Sequence, residues 1–326
     1  MLRRISKLGF FIQFLLFLAV ASLFWLPAIM DPGPPMHIPS EGPLYTLLSQ
    51  WLTGMPVFSV CFALLMVLVM CIFLYAICSS NDLVTRENFL PAILYMVLLS
   101  WNASLLVLHP LLPAGILAMI SVYTLMRMYG QQDPYRQVFT ATACIAVASL
   151  FYMPAMYLLF MVWFSFLSYR ISGWREWLIT LIGFLFPFIY LASWYFWNDE
   201  FLSGMLKVLD AIDDPGIGVN NLKAPDIFWL LASALVLLTT MFAVINAIQD
   251  KLINLRRKTF ILINFSFASL IMISLSGSPV LFSHQMFFLP LAFFMTAILN
   301  FVKKGLFYEI ILILYLSSLV LIRLFA

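Results

Sequence analysis

Two carboxylates and a histidine stand close together in Ile29–Tyr45, whose sequence is IMDPGPPMHIPSEGPLY. Asp31 and Glu41 lie on either side of His37, and five prolines are interspersed among them. Carboxylates and imidazoles are the side chains that most often move protons in catalysis. Proline restricts the backbone that carries them. The stretch therefore indicates proton transfer in a conformationally restricted segment.

The composition restricts the class of protein that can carry this segment. Of the 326 residues, 64% are hydrophobic and only 10% are charged, and the mean hydropathy is +1.05. A soluble domain is about half apolar and about a quarter charged. Apolar runs of about twenty residues recur and strand-like alternation is absent, which excludes a β-barrel. We predict an all-α, polytopic transmembrane helical bundle in a single transmembrane domain, residues 1–326.

The apolar runs predict about eleven spans. The first is longer than the roughly 7–15 apolar residues of a signal peptide, so we expect an uncleaved span. Spans 5 and 6 meet at Tyr152-Met153-Pro154, where proline favours a break and a single kinked segment is the alternative. The predicted spans are 8–30, 56–79, 90–108, 111–129, 137–153, 154–170, 176–198, 227–249, 259–276, 279–301 and 305–325.

The distribution of lysine and arginine orients these spans. With the N-terminus inside and the C-terminus outside, only Lys207, Lys223 and Arg323 of the 17 basic residues fall outside. This asymmetry agrees with the excess of positive charge on cytoplasmic loops. Merging spans 5 and 6 would move several cations outward, so eleven separate spans agree better with the charges.

Two external loops, 31–55 and 199–226, are long and acidic. Each contains a pattern typical of an amphipathic helix. The first helix is predicted to begin at Pro43 and to end before Gly54, with Leu44, Leu47 and Trp51 on its apolar side. Such a helix can lie in the membrane interface or can close the end of the bundle.

This topology resembles that of the GT-C class of polyprenyl-phosphate-sugar glycosyltransferases. Those enzymes have a seven-span module with an interfacial helix in the first external loop and an acidic base just after span 1. The resemblance covers residues 1–230, and 231–326 would add four spans. It implies an integral inner-membrane glycosyltransferase, or a degenerate relative, that acts externally on a polyprenyl-phosphate-linked sugar. Asp31 would be the catalytic base and Glu41 a second candidate, although Pro32 replaces the second acidic residue of the usual pair.

Three further motifs resemble a family of polytopic bacterial inner-membrane proteins. They are Ala148–Pro154, Gly173–Trp177 (GWREW) and Gly183–Pro187. The resemblance implies a multi-pass protein of the bacterial inner membrane and implies no activity.

Substrate binding would need groups that hold a phosphate. The candidates on the predicted external face are His37, His109, Lys207, Lys223 and His284. With Asp31 and Glu41, the histidines could also bind a divalent metal, but no metal-ligand spacing or other cofactor motif is present.

Two alternatives to an enzyme stay open. The cluster Arg256-Arg257-Lys258 and the lack of a soluble catalytic domain favour a non-catalytic membrane subunit that docks a partner enzyme or protein complex. A lipid or small-molecule transporter is the third possibility, although the lack of charge in the middle of the spans argues against ion coupling. The expected partners are the lipid bilayer, a polyprenyl-phosphate-linked sugar and other membrane proteins, and no feature points to nucleic acid.

Overall fold

The computed structural model describes residues 6, 8–81, 83–84, 88–131, 134–170, 173–213, 224–249, 253–276, 284–302 and 306–325. Within these ranges the chain is helical and contains no strand; one isolated antiparallel bridge joins Glu41 and Tyr152. The all-α prediction is confirmed.

The described residues form thirteen α-helices. They are α1 (Phe10–Met30), α2 (Pro43–Leu52), α3 (Pro56–Ser80), α4 (Leu90–Leu99), α5 (Leu111–Met128), α6 (Tyr135–Phe151), α7 (Leu159–Tyr169), α8 (Trp174–Trp197), α9 (Phe201–Asp213), α10 (Ala224–Ala247), α11 (Ile253–Leu275), α12 (Phe288–Phe301) and α13 (Leu306–Phe325). Short 3₁₀ helices cover Ala103–Leu105, Met153–Leu158 and His284–Phe287.

Seven of the described helical segments are long and apolar enough to cross a membrane. They include α1, α3, α5, α8 and α11, residues Trp229–Ala247 of α10, and α12 with the 3₁₀ turn before it. Shorter apolar helices lie in the predicted spans 3, 5, 6 and 11. The protein is therefore a helical membrane protein by the length and composition of its helices. The number of crossings and their direction stay predictions.

Both predicted amphipathic helices are present, as α2 and α9. Helix α2 begins at Pro43, because proline has no N–H to lose in the first helical turn. Trp51 is 86% exposed and Leu47 is half-exposed, while Tyr45 and Ser49 face the protein. Leu47 and Trp51 are therefore exposed, as expected for a helix in the membrane interface, whereas Leu52 at the end of α2 is buried.

The predicted third span is much shorter as a helix than its apolar run. Helix α4 ends at Leu99, and a 3₁₀ turn follows at Ala103–Leu105. The side chain of Asn102 accepts a hydrogen bond from the N–H of Ser104 at 3.0 Å. Asparagine and serine side chains compete with the helix for backbone groups, which explains why the helix ends early. The prediction of a helix through residue 108 was therefore wrong.

Helix α6 ends at Phe151, and the chain reverses direction at Tyr152. This residue is extended, with φ −138° and ψ 104°, between α6 and the 3₁₀ turn that leads into α7. Helix α6 starts shortly after Tyr129, and the ring of Tyr169 at the end of α7 lies 5.6 Å from the ring of Tyr129. The two segments therefore form an antiparallel hairpin, and the predicted break is confirmed.

Helix α12 forms the centre of the structure, since every residue from Phe288 to Leu299 is buried. Helix α6 packs between α5 and α8. By contrast, most of the side chains of α1 and α8 face outward. This arrangement leaves the connections at the helix ends to form any polar site.

Candidate functional site

The proline-rich segment Asp31–Gly42, called segment 31–42 below, is tied to two other connections of the bundle. The N–H of Met36 donates to the carbonyl of Leu108 at 2.8 Å. The N–H of Gly42 donates to the carbonyl of Phe151 at 2.9 Å. The segment is therefore fixed to the turn before α5 and to the break between α6 and α7.

The break at Tyr152 continues this pairing. Tyr152 forms the antiparallel bridge with Glu41, and the N–H of Met153 donates to the carbonyl of Ser40 at 3.1 Å. The extended backbone at Tyr152 frees these groups from helical hydrogen bonds. The break thus serves as a support for the part of segment 31–42 that carries Glu41.

Glu41 and His37 form a hydrogen-bonded pair on this support. Nδ1 of His37 lies 3.1 and 3.2 Å from the two carboxylate oxygens of Glu41, and the N–H of Ile38 lies 3.4 Å from Oε2. A carboxylate only accepts hydrogen bonds, so we assign the proton to Nδ1. The His37 side chain is 54% exposed, against 16% for Glu41. Nε2 of a neutral His37 is then an acceptor on a side chain that is more than half exposed.

Tyr45 lies beneath the pair. Its hydroxyl is 2.8 Å from the carbonyl oxygen of Met36 and 2.9 Å from that of Leu108, and its ring meets the His37 ring edge-on at 6.2 Å. Burial, reinforced by the negative charge of Glu41, raises the pKa of Tyr45. The hydroxyl therefore stays protonated and acts as an anchor for the segment.

Asp31, the base implied by the GT-C resemblance, lies apart from this cluster. It is exposed at the end of α1, where its N–H donates to the carbonyl of Pro27 at 3.0 Å. Within the described residues its carboxylate makes no hydrogen bond or ion pair. The structure thus holds Glu41 and His37 in place and leaves the side chain of Asp31 exposed.

The other two histidines lie in the interior. His109 is buried in the connection before α5, and burial lowers its pKa to about 3. Nε2 of His284 is 2.8 Å from the hydroxyl of Ser233, and its ring lies against Phe287 and Phe288. Neither is placed to contact a substrate at the surface. Among the described residues, no three His, Cys, Asp or Glu side chains are grouped to hold a metal ion.

Helix α9 brings one predicted cation to this end of the bundle. Val208 is buried in a small apolar cluster with Leu150, Met153 and Leu191. The preceding residue, Lys207, is exposed. Lys223 lies outside the described residues.

An apolar groove of about 740 Å³ begins beside the His37–Glu41 pair. Leu44 and Leu47 of α2 lie at one end, and the walls are formed by α6 and α8. Leu44 is three residues from Glu41, and Leu150 is two residues from Tyr152, which bridges Glu41. The lining residues are Leu44, Leu47, Leu117, Phe139, Thr140, Ala143, Cys144, Val147, Leu150, Phe186, Pro187, Tyr190, Leu191 and Trp194.

Sequence reasoning missed both the groove and the anchor at Tyr45. The groove residues are apolar like most of the chain, so no pattern distinguishes them. Tyr45 adjoins the predicted site, but its two carbonyl partners are not visible in a sequence.

No protein-family model matches this sequence, and neither the curated proteins nor the solved structures contain a match.

Proposed function

We propose that the protein is a membrane transferase of the GT-C type that uses a polyprenyl-phosphate-linked sugar. The observation that carries the proposal is the position of the apolar groove, which starts beside the His37–Glu41 pair. A lipid-linked donor needs both features together: an apolar path for its chain and proton-transfer groups at its head. In this proposal the end of the bundle with segment 31–42 faces outward across a bacterial inner membrane with eleven spans.

The groove would hold the isoprenoid chain. Its walls are almost entirely apolar. One wall is formed by residues of α8 such as Pro187 and Trp194, and many large apolar side chains of α8 are exposed. An isoprenoid chain could therefore enter sideways from the lipid. Burial of this chain would supply affinity in proportion to the apolar area removed from water.

His37 would act as the general base. Its Nε2 takes the proton of the acceptor hydroxyl while the acceptor oxygen forms a bond to the anomeric carbon. The bond between that carbon and the phosphate oxygen breaks, and the polyprenyl phosphate leaves with the electron pair. Glu41 holds the ring and stabilises the imidazolium that forms.

The leaving phosphate needs a positive charge nearby. Lys207 is the candidate for this charge, because the next residue, Val208, packs with Leu150 and Leu191 of the groove. Asp31, which the GT-C resemblance implies as the base, is the alternative to His37, and its exposed carboxylate could instead orient the acceptor.

The proposal is tested with the purified chain in nanodiscs and undecaprenyl phosphate carrying radiolabelled hexoses or pentoses. The expected result is binding of the donor and release of undecaprenyl phosphate when an acceptor is supplied. Binding without release from any donor would favour a transporter or a docking subunit. Failure to retain any undecaprenyl phosphate would overturn the proposal.

A further inference from the structure

A second cavity, of about 820 Å³, lies between the ends of α7, α10 and α11. It is at the opposite end of the bundle from segment 31–42. Arg257 in its wall stacks on the ring of Tyr129, which contacts Tyr169 at the end of α7. Helices α6 and α7 lead from this end to the break at Tyr152, which supports Glu41.

Three arginines line this cavity: Arg170, Arg256 and Arg257. None of the described lining residues is acidic, and within the described residues no ion pair neutralises the three guanidinium groups. Asp250 and Lys251, of opposite charge, adjoin the cavity in sequence and lie outside the described residues. Three arginines in one concave surface, with no acidic neighbour among the described residues, attract an anion.

Two of the arginines have an unusual placement. Arg257 lies over the Tyr129 ring with its guanidinium carbon 5.1 Å from the ring centre, a cation–π contact that limits its rotamers. Arg170 caps α7 in the left-handed conformation, at φ 57° and ψ 39°. That region is unfavourable for residues other than glycine and is more common at functional sites. Part of the conformational entropy that these arginines would lose on binding an anion is therefore already lost in the free protein.

The rest of the cavity is suited to lipid rather than to a small ion. Gln249, Ser168 and Thr259 add polar groups, whereas five of the eleven lining residues are isoleucine or phenylalanine. Phe260 and Ile253 are also exposed on the outer side of α11. A headgroup among the arginines would thus have an apolar wall beside it.

We infer that this cavity binds the phosphate of an anionic phospholipid. The guanidinium groups donate paired hydrogen bonds to the phosphate oxygens, a geometry that arginine provides and lysine does not. The first part of the acyl chains lies along Ile253 and Phe260. Basic pockets between membrane helices on the cytoplasmic side are known to hold such headgroups. The site is independent of the groove and of the proposed transfer reaction.

The test is native mass spectrometry of the full chain in detergent with added phosphatidylglycerol or phosphatidylcholine of the same acyl chains. We expect phosphatidylglycerol to be retained preferentially. The double variant Arg256→Gln/Arg257→Gln should weaken this retention at least about tenfold, given about fivefold per arginine near a membrane surface. Arg127→Gln is the matched control, because Arg127 also stacks on a tyrosine, Tyr123, but does not line the cavity.

Two competitors distinguish a lipid site from a site for free phosphate. Glycerophosphoglycerol or inorganic phosphate at millimolar concentration should displace little phosphatidylglycerol if the apolar wall contributes. Displacement by inorganic phosphate alone would show a small-anion site and overturn the lipid assignment. Equal retention of both lipids, or equal loss in the Arg127→Gln control, would overturn the site itself.

Discussion

The carboxylate of Glu41 is held by a ring nitrogen on one side and a backbone N–H on the other. His37 and Glu41 are four residues apart, yet the segment is not helical, so their contact depends on how the prolines turn the chain. The pair is also supported from below by Tyr45 and from the side by Tyr152. A partly exposed imidazole oriented in this way is suited to accept a proton from a ligand.

Single substitutions separate the candidate bases. We expect His37→Gln to lower transfer by roughly 10²–10⁴-fold, the usual cost of losing a general base. Glu41→Gln should lower it less, because the imidazole stays present but loses its orienting charge. Turnover is measured in nanodiscs, with membrane abundance as the control for folding.

Asp31→Asn provides the opposing test in the same assay. If Asp31 is the base, as the GT-C resemblance implies, this variant should show the large loss and His37→Gln should be nearly silent. Both variants should fold, because both side chains are exposed. Full activity of the His37→Gln protein would rule out the assigned role of His37.

At the level of elements, the packing of segment 31–42 against the α6–α7 break depends on Gly42. A Cβ at this position would collide with the backbone carbonyl of Leu150. Backbone cannot move aside as a side chain can. The absence of a side chain at Gly42 is what lets the two segments pair.

We therefore expect Gly42→Ala to destabilise the protein by about 1–3 kcal/mol, the usual cost of overpacking. The thermal midpoint in detergent should fall. Gly54→Ala is the matched control, since a Cβ there meets nothing within 4 Å. An unchanged midpoint for Gly42→Ala would mean that the segment does not pack as described.

The groove between α2, α6 and α8 can be blocked from α6. Ala143 lines it, so Ala143→Trp should fill its volume and abolish retention of undecaprenyl phosphate in a nanodisc binding assay. The thermal midpoint should stay close to the wild-type value, because Ala143 is only partly buried. Ala234→Trp on α10, outside the groove, should bind normally. Undiminished binding to the Ala143→Trp protein would place the lipid elsewhere.

Some of these elements could be predicted from the sequence, and others could not. Pro43 and Gly54 mark the ends of α2, and Pro154 marks the chain reversal, because these residues act through local backbone geometry. The shortness of α4 depends on Asn102 competing for backbone hydrogen bonds, which hydropathy does not register. The groove depends on which apolar faces leave a gap, and a chain that is 64% hydrophobic gives no periodic signal for that.

On the scale of the whole molecule, the two candidate sites lie at opposite ends of the bundle. The acidic segment 31–42 and Lys207 are at one end, and the three arginines of the second cavity are at the other. This separation of acidic and basic residues between the two ends agrees with the excess of cytoplasmic lysine and arginine in membrane proteins. The direction of the chain in the membrane then determines which leaflet each site meets.

Cysteine labelling in intact cells tests this direction. In a background with Cys61, Cys71, Cys78 and Cys144 replaced, single cysteines are placed at the exposed positions Gln50, Asn198, Gln131 and Gln249. Gln50 is on α2 and Asn198 follows Trp194 of the groove, whereas Gln249 lines the arginine cavity. Gln131 is close to Tyr129, which contacts the same cavity through Arg257.

An impermeant maleimide should label Gln50→Cys and Asn198→Cys from outside and should reach the other two only after the membrane is permeabilised. The physical reason is the cost of translocating the arginine-rich end, which favours its retention in the cytoplasm. Labelling of all four from one side would contradict the eleven-span topology. A complete reversal would keep the bundle but put the His37–Glu41 pair in the cytoplasm, where an externally acting transferase could not use it.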